Sequence, residues 1–180
     1  MNLVLYGDFN CPYSCLASVR ADALRAAGRA EIEWRAVEHD PSLPVPSRPA
    51  RGDVAEMFDR ELDEINGLLR PGERFPIAPP PVQPNSRLAI EAYAGAPDGD
   101  ADDLRRRLFA ALWFEGRDIA DPSVLDELVG EVALAPDRRS ADWQAQWSAF
   151  DRRLVPMLVL PDGYVSRGLG ALERLADLAA

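Results

Sequence analysis

An α/β fold is predicted for this chain of 180 residues from three observations. The first 38 residues read as strand, helix, strand; the middle is a helical block interrupted by two proline-rich stretches; the end reads as a hairpin followed by a helix. The apolar share of 47% suffices for one substantial core, which predicts one domain carrying an insertion.

The elements follow in order. Asn2 to Gly7 is a short apolar run suited to a buried strand. Residues 16–27 favour helix, continued over 20–30, with Leu16, Val19, Ala23 and Leu24 on one face and Gly28 near the end. Residues 31–38 alternate polar and apolar, so they form a second strand burying Ile32, Trp34 and Ala36 or Val37. A helix between the two strands makes them parallel neighbours. Proline-rich residues 39–50 precede a helix over 53–69, and successive prolines assign 72–84 to loop because they remove backbone donors.

Helices are expected over 85–96 and 102–115, the latter stacking Leu104, Leu108 and Leu112 beside Phe109 and Trp113. Asp121 and Pro122 supply a cap and a first-turn proline for a helix over 124–132. A further helix over 140–150 carries Trp143, Trp147 and Phe150 as packing groups. Residues 157–160 form a strand, Pro161-Asp162-Gly163 a turn, and Tyr164-Val165 the start of the antiparallel return. The helix over 168–180 presents Leu169, Leu172, Leu175 and Leu178.

The chemistry concentrates at Cys11-Pro12-Tyr13-Ser14-Cys15, between the first strand and the first helix. Backbone N–H groups at a helix start lack intrahelical partners and the peptide dipoles favour negative charge, so Cys11 is expected to ionise more readily than a free cysteine. Cys11 and Cys15 are four apart; on a helix that puts their Cβ atoms roughly 5–6 Å from each other. A disulfide wants about 3.5–4.5 Å. One reactive thiol is the simpler reading, with the Ser14 hydroxyl where a resolving thiol would bridge easily. The bland alternative makes both cysteines small buried apolar residues.

A formal charge of −10 leaves no basic surplus for a nucleic acid, and every cation besides His39 is arginine. No apolar run is long enough to span a bilayer and no signal core is present, so a cytoplasmic location without a lasting disulfide is expected. No metal is expected, because there is no second histidine and no closely spaced thiol pair. His39 follows the second strand beside Asp40-Pro41 and is read as a capping or exposed residue.

Four segments in this order resemble DsbA-like thioredoxin-fold proteins: Asp8-Phe9-Asn10-Cys11-Pro12-Tyr13-Ser14, Pro84-Asn85-Ser86-Arg87-Leu88-Ala89, residues 108–119, and Val155-Pro156-Met157-Leu158-Val159-Leu160. The nearest branches are the FrnE-like oxidoreductases, the kappa-class glutathione transferases and the 2-hydroxychromene-2-carboxylate isomerases. The resemblance implies a mixed sheet flanked by helices formed by residues 1–40 and 151–180, with an all-helical insertion over 51–150, between the second and third strands, that is not an independent domain. It implies that Pro156 is cis and lies against the Cys11 sulfur, and that Val155 offers its backbone to an extended thiol such as glutathione. It also suggests a homodimer.

FrnE-like members carry cysteine where this chain has Ser14, and the glutathione-handling branches tend to carry serine at the Cys11 position. Two mechanisms follow. In one, Cys11 attacks a disulfide, and an external low-molecular-weight thiol or, less readily, Cys15 resolves the mixed disulfide, with Asp8 opposing ionisation by like charge. In the other, Cys11 or Ser14 donates a hydrogen bond to the sulfur of bound glutathione, which transfers to or isomerises a substrate. Pro12, Tyr13, Val155, Pro156 and Arg167 are the candidate substrate contacts, Arg167 as a carboxylate clamp against the commoner fate of an exposed arginine. A third reading is a binding module whose thiol is incidental.

Overall fold

In the computed structural model, which describes residues 1–137 and 139–179, a four-stranded sheet is ordered β2-β1-β5-β6. β1 (Asn2–Gly7) runs parallel to β2 (Glu31–Ala36), and the register places Leu3 beside Ile32 and Leu5 beside Trp34. β5 (Met157–Val159) pairs antiparallel with β1 and with β6 (Val165–Arg167), as the hairpin pattern requires. The alternation in β2 is realised: Ile32, Trp34 and Ala36 are buried while Glu31 and Glu33 are exposed.

α1 (Pro12–Ala26) joins β1 to β2, and α7 (Leu169–Ala179) follows β6 and packs on α1. Between β2 and β5 lie α2 (Asp53–Leu68), α3 (Arg87–Gly95), α4 (Asp98–Trp113), α5 (Pro122–Val129) and α6 (Ser140–Ser148). The insertion is not all-helical. β3 (Arg48–Pro49) and β4 (Val82–Gln83) pair antiparallel, and Ala50 N–H donates to the Pro81 carbonyl at 2.9 Å. Proline tolerates this because so short a ladder asks for few donors.

Hydrophobic burial is continuous from the sheet into the insertion. Leu104, Leu108, Phe109, Leu112 and Trp113 of α4 are all buried, and Phe9 meets Phe109 and Tyr93 with ring centroids 5.0 and 5.8 Å apart. Trp113 Nε1 donates to the Phe9 carbonyl at 2.9 Å, fixing the loop that carries Cys11. Asp121 caps α5 by accepting from Ser123 N–H, as its position predicts.

The helix faces differ from expectation at three residues. Val19 and Ala23 are exposed and Leu169 is 40% exposed, while Ser14, Ala17, Ser18 and Arg20 are buried. The first half of α1 is enclosed by the sheet, α2, α4 and α7, so it has no single core-facing stripe. Arg20 is satisfied there by both Glu73 carboxylate oxygens and by the Leu68 and Leu172 carbonyls, all at 2.8–2.9 Å. Arg105 of α4 reaches Ser18 and Asp22 on the opposite side and lies over the Trp34 ring.

Candidate active site around Cys11

β1 ends at Gly7, where only a glycine fits: a Cβ there would lie 2.3 Å from Trp34 Cζ2 and 3.2 Å from Ser14 Cβ. The chain then turns through Asp8-Phe9-Asn10, and Cys11 N–H donates to the Asp8 carbonyl at 3.2 Å. Cys11 is the N-cap of α1, extended at φ −106 and ψ 119, with Pro12 at the first helical position and Cys15 N–H bonded back to the Cys11 carbonyl at 3.1 Å. The first turn is therefore closed. Both cysteines are free and buried, Cys15 inside the core at 1% exposure.

The structure brings the amino-terminal motif to the later proline. Cys11 Sγ donates to the Val155 carbonyl at 4.0 Å, the Val155–Pro156 bond is cis, and the Pro156 carbonyl accepts from Gly168 N–H at 2.8 Å. Cys11, Ser14, Val155 and Pro156 thus gather at one point. Arg167 lies beside them on β6, paired with Met157, which follows the cis proline. Its guanidinium is held by Asp151 at 3.1 Å and by the Arg152 carbonyl at 2.9 Å, over the Phe150 ring, which leaves it committed elsewhere.

The expected ease of ionisation at Cys11 is overturned. Burial pushes the thiol up to about 12; the hydroxyl and backbone N–H of Ser14 pull the other way, and the charges of Asp8 and Glu61 add to the rise. The dipole argument assumes a sulfur facing water, whereas Cys11 is buried. Burial thus favours the protonated thiol at Cys11. Burial raises Cys15 well above its ordinary value too, with the Cys11 charge next in effect.

Ser14 is fully buried and its oxygen accepts from Asp8 N–H at 3.2 Å. A hydroxyl that accepts there keeps its one proton for another acceptor, here the sulfur. Asp8 is also fully buried; its carboxylate accepts from Asn10 N–H at 3.2 Å and His39 N–H at 2.8 Å, and His39 Nδ1 lies 3.6 Å from it. His39 is exposed, as expected, and it also faces Asp8, which raises its proton affinity.

α2 supplies what sequence reasoning missed. Tyr13 donates its hydroxyl to the Glu64 carboxylate, and Glu61, one turn earlier, bears on Cys11 and Tyr13. Burial pushes both the Tyr13 hydroxyl and the Glu61 carboxyl upward. Nothing in the spacing near Cys11 points to residues fifty positions away. Asp8 alone carried a signal, three residues before the cysteine. Among the described residues no group of three or more His, Cys, Asp or Glu side chains could hold a metal, and no helix is long and apolar enough to cross a membrane.

The model of the DSBA-like thioredoxin domain matches residues 2–147. Among solved structures, the probable DsbA oxidoreductase of Streptomyces coelicolor superposes with a TM-score of 0.72 at 16% identity, covering 99% of this chain and 88% of its own. A 2-hydroxychromene-2-carboxylate isomerase gives 0.65 at 20% identity, covering 98% and 93%. The cytosolic disulfide reductase DsbM of Pseudomonas aeruginosa, in a structure with GSH, gives 0.64 at 19%, covering 99% and 96%. At these identities the likeness is one of fold. No curated protein matches the chain.

Proposed function

We propose that this chain, which belongs to the DSBA-like thioredoxin-domain family, is a thiol-disulfide oxidoreductase working through Cys11 alone. The observation that carries the reading is the Cys11 sulfur at a helix N-cap against the Val155 carbonyl, 144 residues away in the chain. A sulfur there can meet a substrate disulfide laid along the Val155–Pro156 backbone, much as a peptide adds to a strand edge. The Cys11 thiolate attacks one substrate sulfur, the substrate S–S bond breaks, a Cys11 mixed disulfide forms, and the departing thiolate takes up a proton. An external low-molecular-weight thiol, glutathione among the candidates, then displaces Cys11. Cys15 is ill suited to that step: it is sealed in the core and joined to Cys11 by a closed helical turn. Pro12 and Tyr13, which open α1 after Cys11, are the candidate substrate contacts, and a reducing cytoplasm fits two free thiols.

A second reading is favoured by the high proton affinity of Cys11. A thiol that keeps its proton can donate a hydrogen bond to the thiolate of a bound small thiol, whose own sulfur then does the transfer or isomerisation. A disulfide-reductase assay on Cys11→Ala, Cys11→Ser and Cys15→Ala separates the readings. Exchange through one cysteine predicts that both Cys11 variants are inactive and that Cys15→Ala keeps most activity. Equal loss at Cys15 would refute the single-thiol mechanism. Activity surviving in Cys11→Ser, whose hydroxyl still donates, would favour the second.

A further inference from the structure

The groups that gather round Cys11 are almost all acceptors or anions. Asp8 comes from the loop after β1, fully buried, and among the described residues it has no arginine partner. Glu61 and Glu64 come from α2 on one helical face, Glu64 tied to the Tyr13 hydroxyl at the rim. Asn10, next to Cys11 in the chain, gives its Nδ2 to the Pro84 carbonyl at 3.3 Å, which fixes the amide and leaves Oδ1 buried with no donor. The Val155 carbonyl takes the sulfur's own proton. The cations nearby are His39, which faces Asp8 and also bears on Glu61, and Arg60 beside Glu61. Arg167, the expected carboxylate clamp, is held by Asp151.

We propose that the disulfide Cys11 exchanges with is a small one bearing amines near its sulfurs, of the cystamine type, in preference to one bearing carboxylates, such as glutathione disulfide. This rests on the exchange reading above and narrows its substrate. Attack transfers a sulfur bond: Cys11 loses its proton, the S–S bond of the disulfide breaks, a Cys11–S–S–R bond forms, and the released thiolate takes a proton. An ammonium close to the attacked sulfur offers donors where the groups bearing on Cys11, the Val155 carbonyl and the charges of Asp8 and Glu61, are acceptors. A carboxylate in the same place faces the like charges of Asp8 and Glu61, while the Arg167 guanidinium is paired with Asp151. Small size follows from access: Cys11 is buried, 7% exposed, with its sulfur against the Val155 carbonyl, so a slender disulfide approaches where a folded protein surface is blocked.

The test follows mixed-disulfide formation on Cys11 by intact mass with cystamine, the neutral hydroxyethyl disulfide and glutathione disulfide. Each rate is divided by that of an unstructured cysteine peptide with the same reagent, which removes intrinsic reactivity. The expected normalised ratio of cystamine to glutathione disulfide is about tenfold or more at low salt, collapsing towards one in 1 M salt, where screening reaches about 3 Å. In the double variant Glu61→Gln and Glu64→Gln the ratio falls several-fold. A ratio of one or below at low salt, with the neutral disulfide reacting, overturns the charge preference and leaves the exchange reading standing. A native protein inert to all three reagents overturns the exchange reading, and the preference with it.

Discussion

The resting protonation of Cys11 is open to a direct test through Ser14→Ala. With the thiol pushed up to about 12, the thiolate fraction at pH 8 is about 10⁻⁴, against roughly a quarter for an unperturbed cysteine near 8.5. A more basic thiolate is intrinsically more nucleophilic, with a Brønsted coefficient of about 0.4–0.5, which returns roughly 30- to 60-fold. Alkylation of Cys11 by iodoacetamide should therefore run about 40- to 80-fold slower than that of a cysteine peptide, before any slowing by burial. Its logarithm should climb by one for each pH unit from 7 to 10 without a plateau.

Removing the Ser14 hydroxyl takes away a hydrogen bond to a charged sulfur, worth about 1.5–3 kcal/mol, so the thiolate fraction falls by about 10- to 100-fold. After the same nucleophilicity correction the rate falls by about 3- to 10-fold. The substitution also leaves the buried Asp8 N–H without its acceptor, at roughly 1–3 kcal/mol of stability, so rates are compared well below the melting transition. A plateau with a midpoint below 8.5 in the native protein would refute the burial account. Unchanged or faster alkylation in Ser14→Ala would refute the hydroxyl's role.

Three further outcomes follow from the same contacts. Gly7→Ala forces a Cβ to within 2.3 Å of Trp34, a ring held between Arg105 and Phe109, and should cost about 3 kcal/mol, read as a fall in Tm of about 6–12 °C; a loss under 1 kcal/mol would show that the indole can move aside. His39 is the sole histidine, and Asp8 holds its native pKa above the ordinary value near 6.5. Its stabilising pairing is therefore full below that pH and fades as pH rises through the higher native value; NMR titration should show the raised midpoint, and Asp8→Asn should return it, whereas an unmoved midpoint would contradict the pairing. Arg20 holds the Glu73 carboxyl below its ordinary range, so the pair stabilises the fold above about pH 4.5 and loses that contribution as pH falls through the lower native value. Arg20→Met should be markedly less stable at neutral pH and lack this acid-side loss, and an unchanged acid slope would sink the assignment.

What the sequence disclosed, and what it concealed, divides along the range of the interactions involved. The strand, the Cys-Pro step and the helix are local choices of backbone and cap, and they are legible at residues 2–26. The alternation of Glu31 to Ala36 is legible for the same reason, since a strand exposes every second side chain whatever lies above it. Arg20 marks where that logic stops. Its neighbours read as one apolar stripe with a polar back, yet the back of α1 is covered by α2 and α7, so an arginine is buried and Val19 is left outside.

The same shift in range inverts the chemistry of Cys11. The helix terminus favours a thiolate and is written in adjacent residues, while the enclosure that opposes it comes from the α2 side chains Glu61 and Glu64, from Trp113 through the Phe9 carbonyl, and from Val155. Desolvation can move a buried group by several pKa units, more than one helix terminus supplies, so the distant residues decide the protonation state. The Tyr13 to Glu64 contact is the exposed edge of that surround. Tyr13→Phe removes it without altering the helix cap, and faster alkylation of Cys11 in that variant is the expected sign that enclosure, not the dipole, sets the resting state; a rate equal to the native one would return the control to the cap.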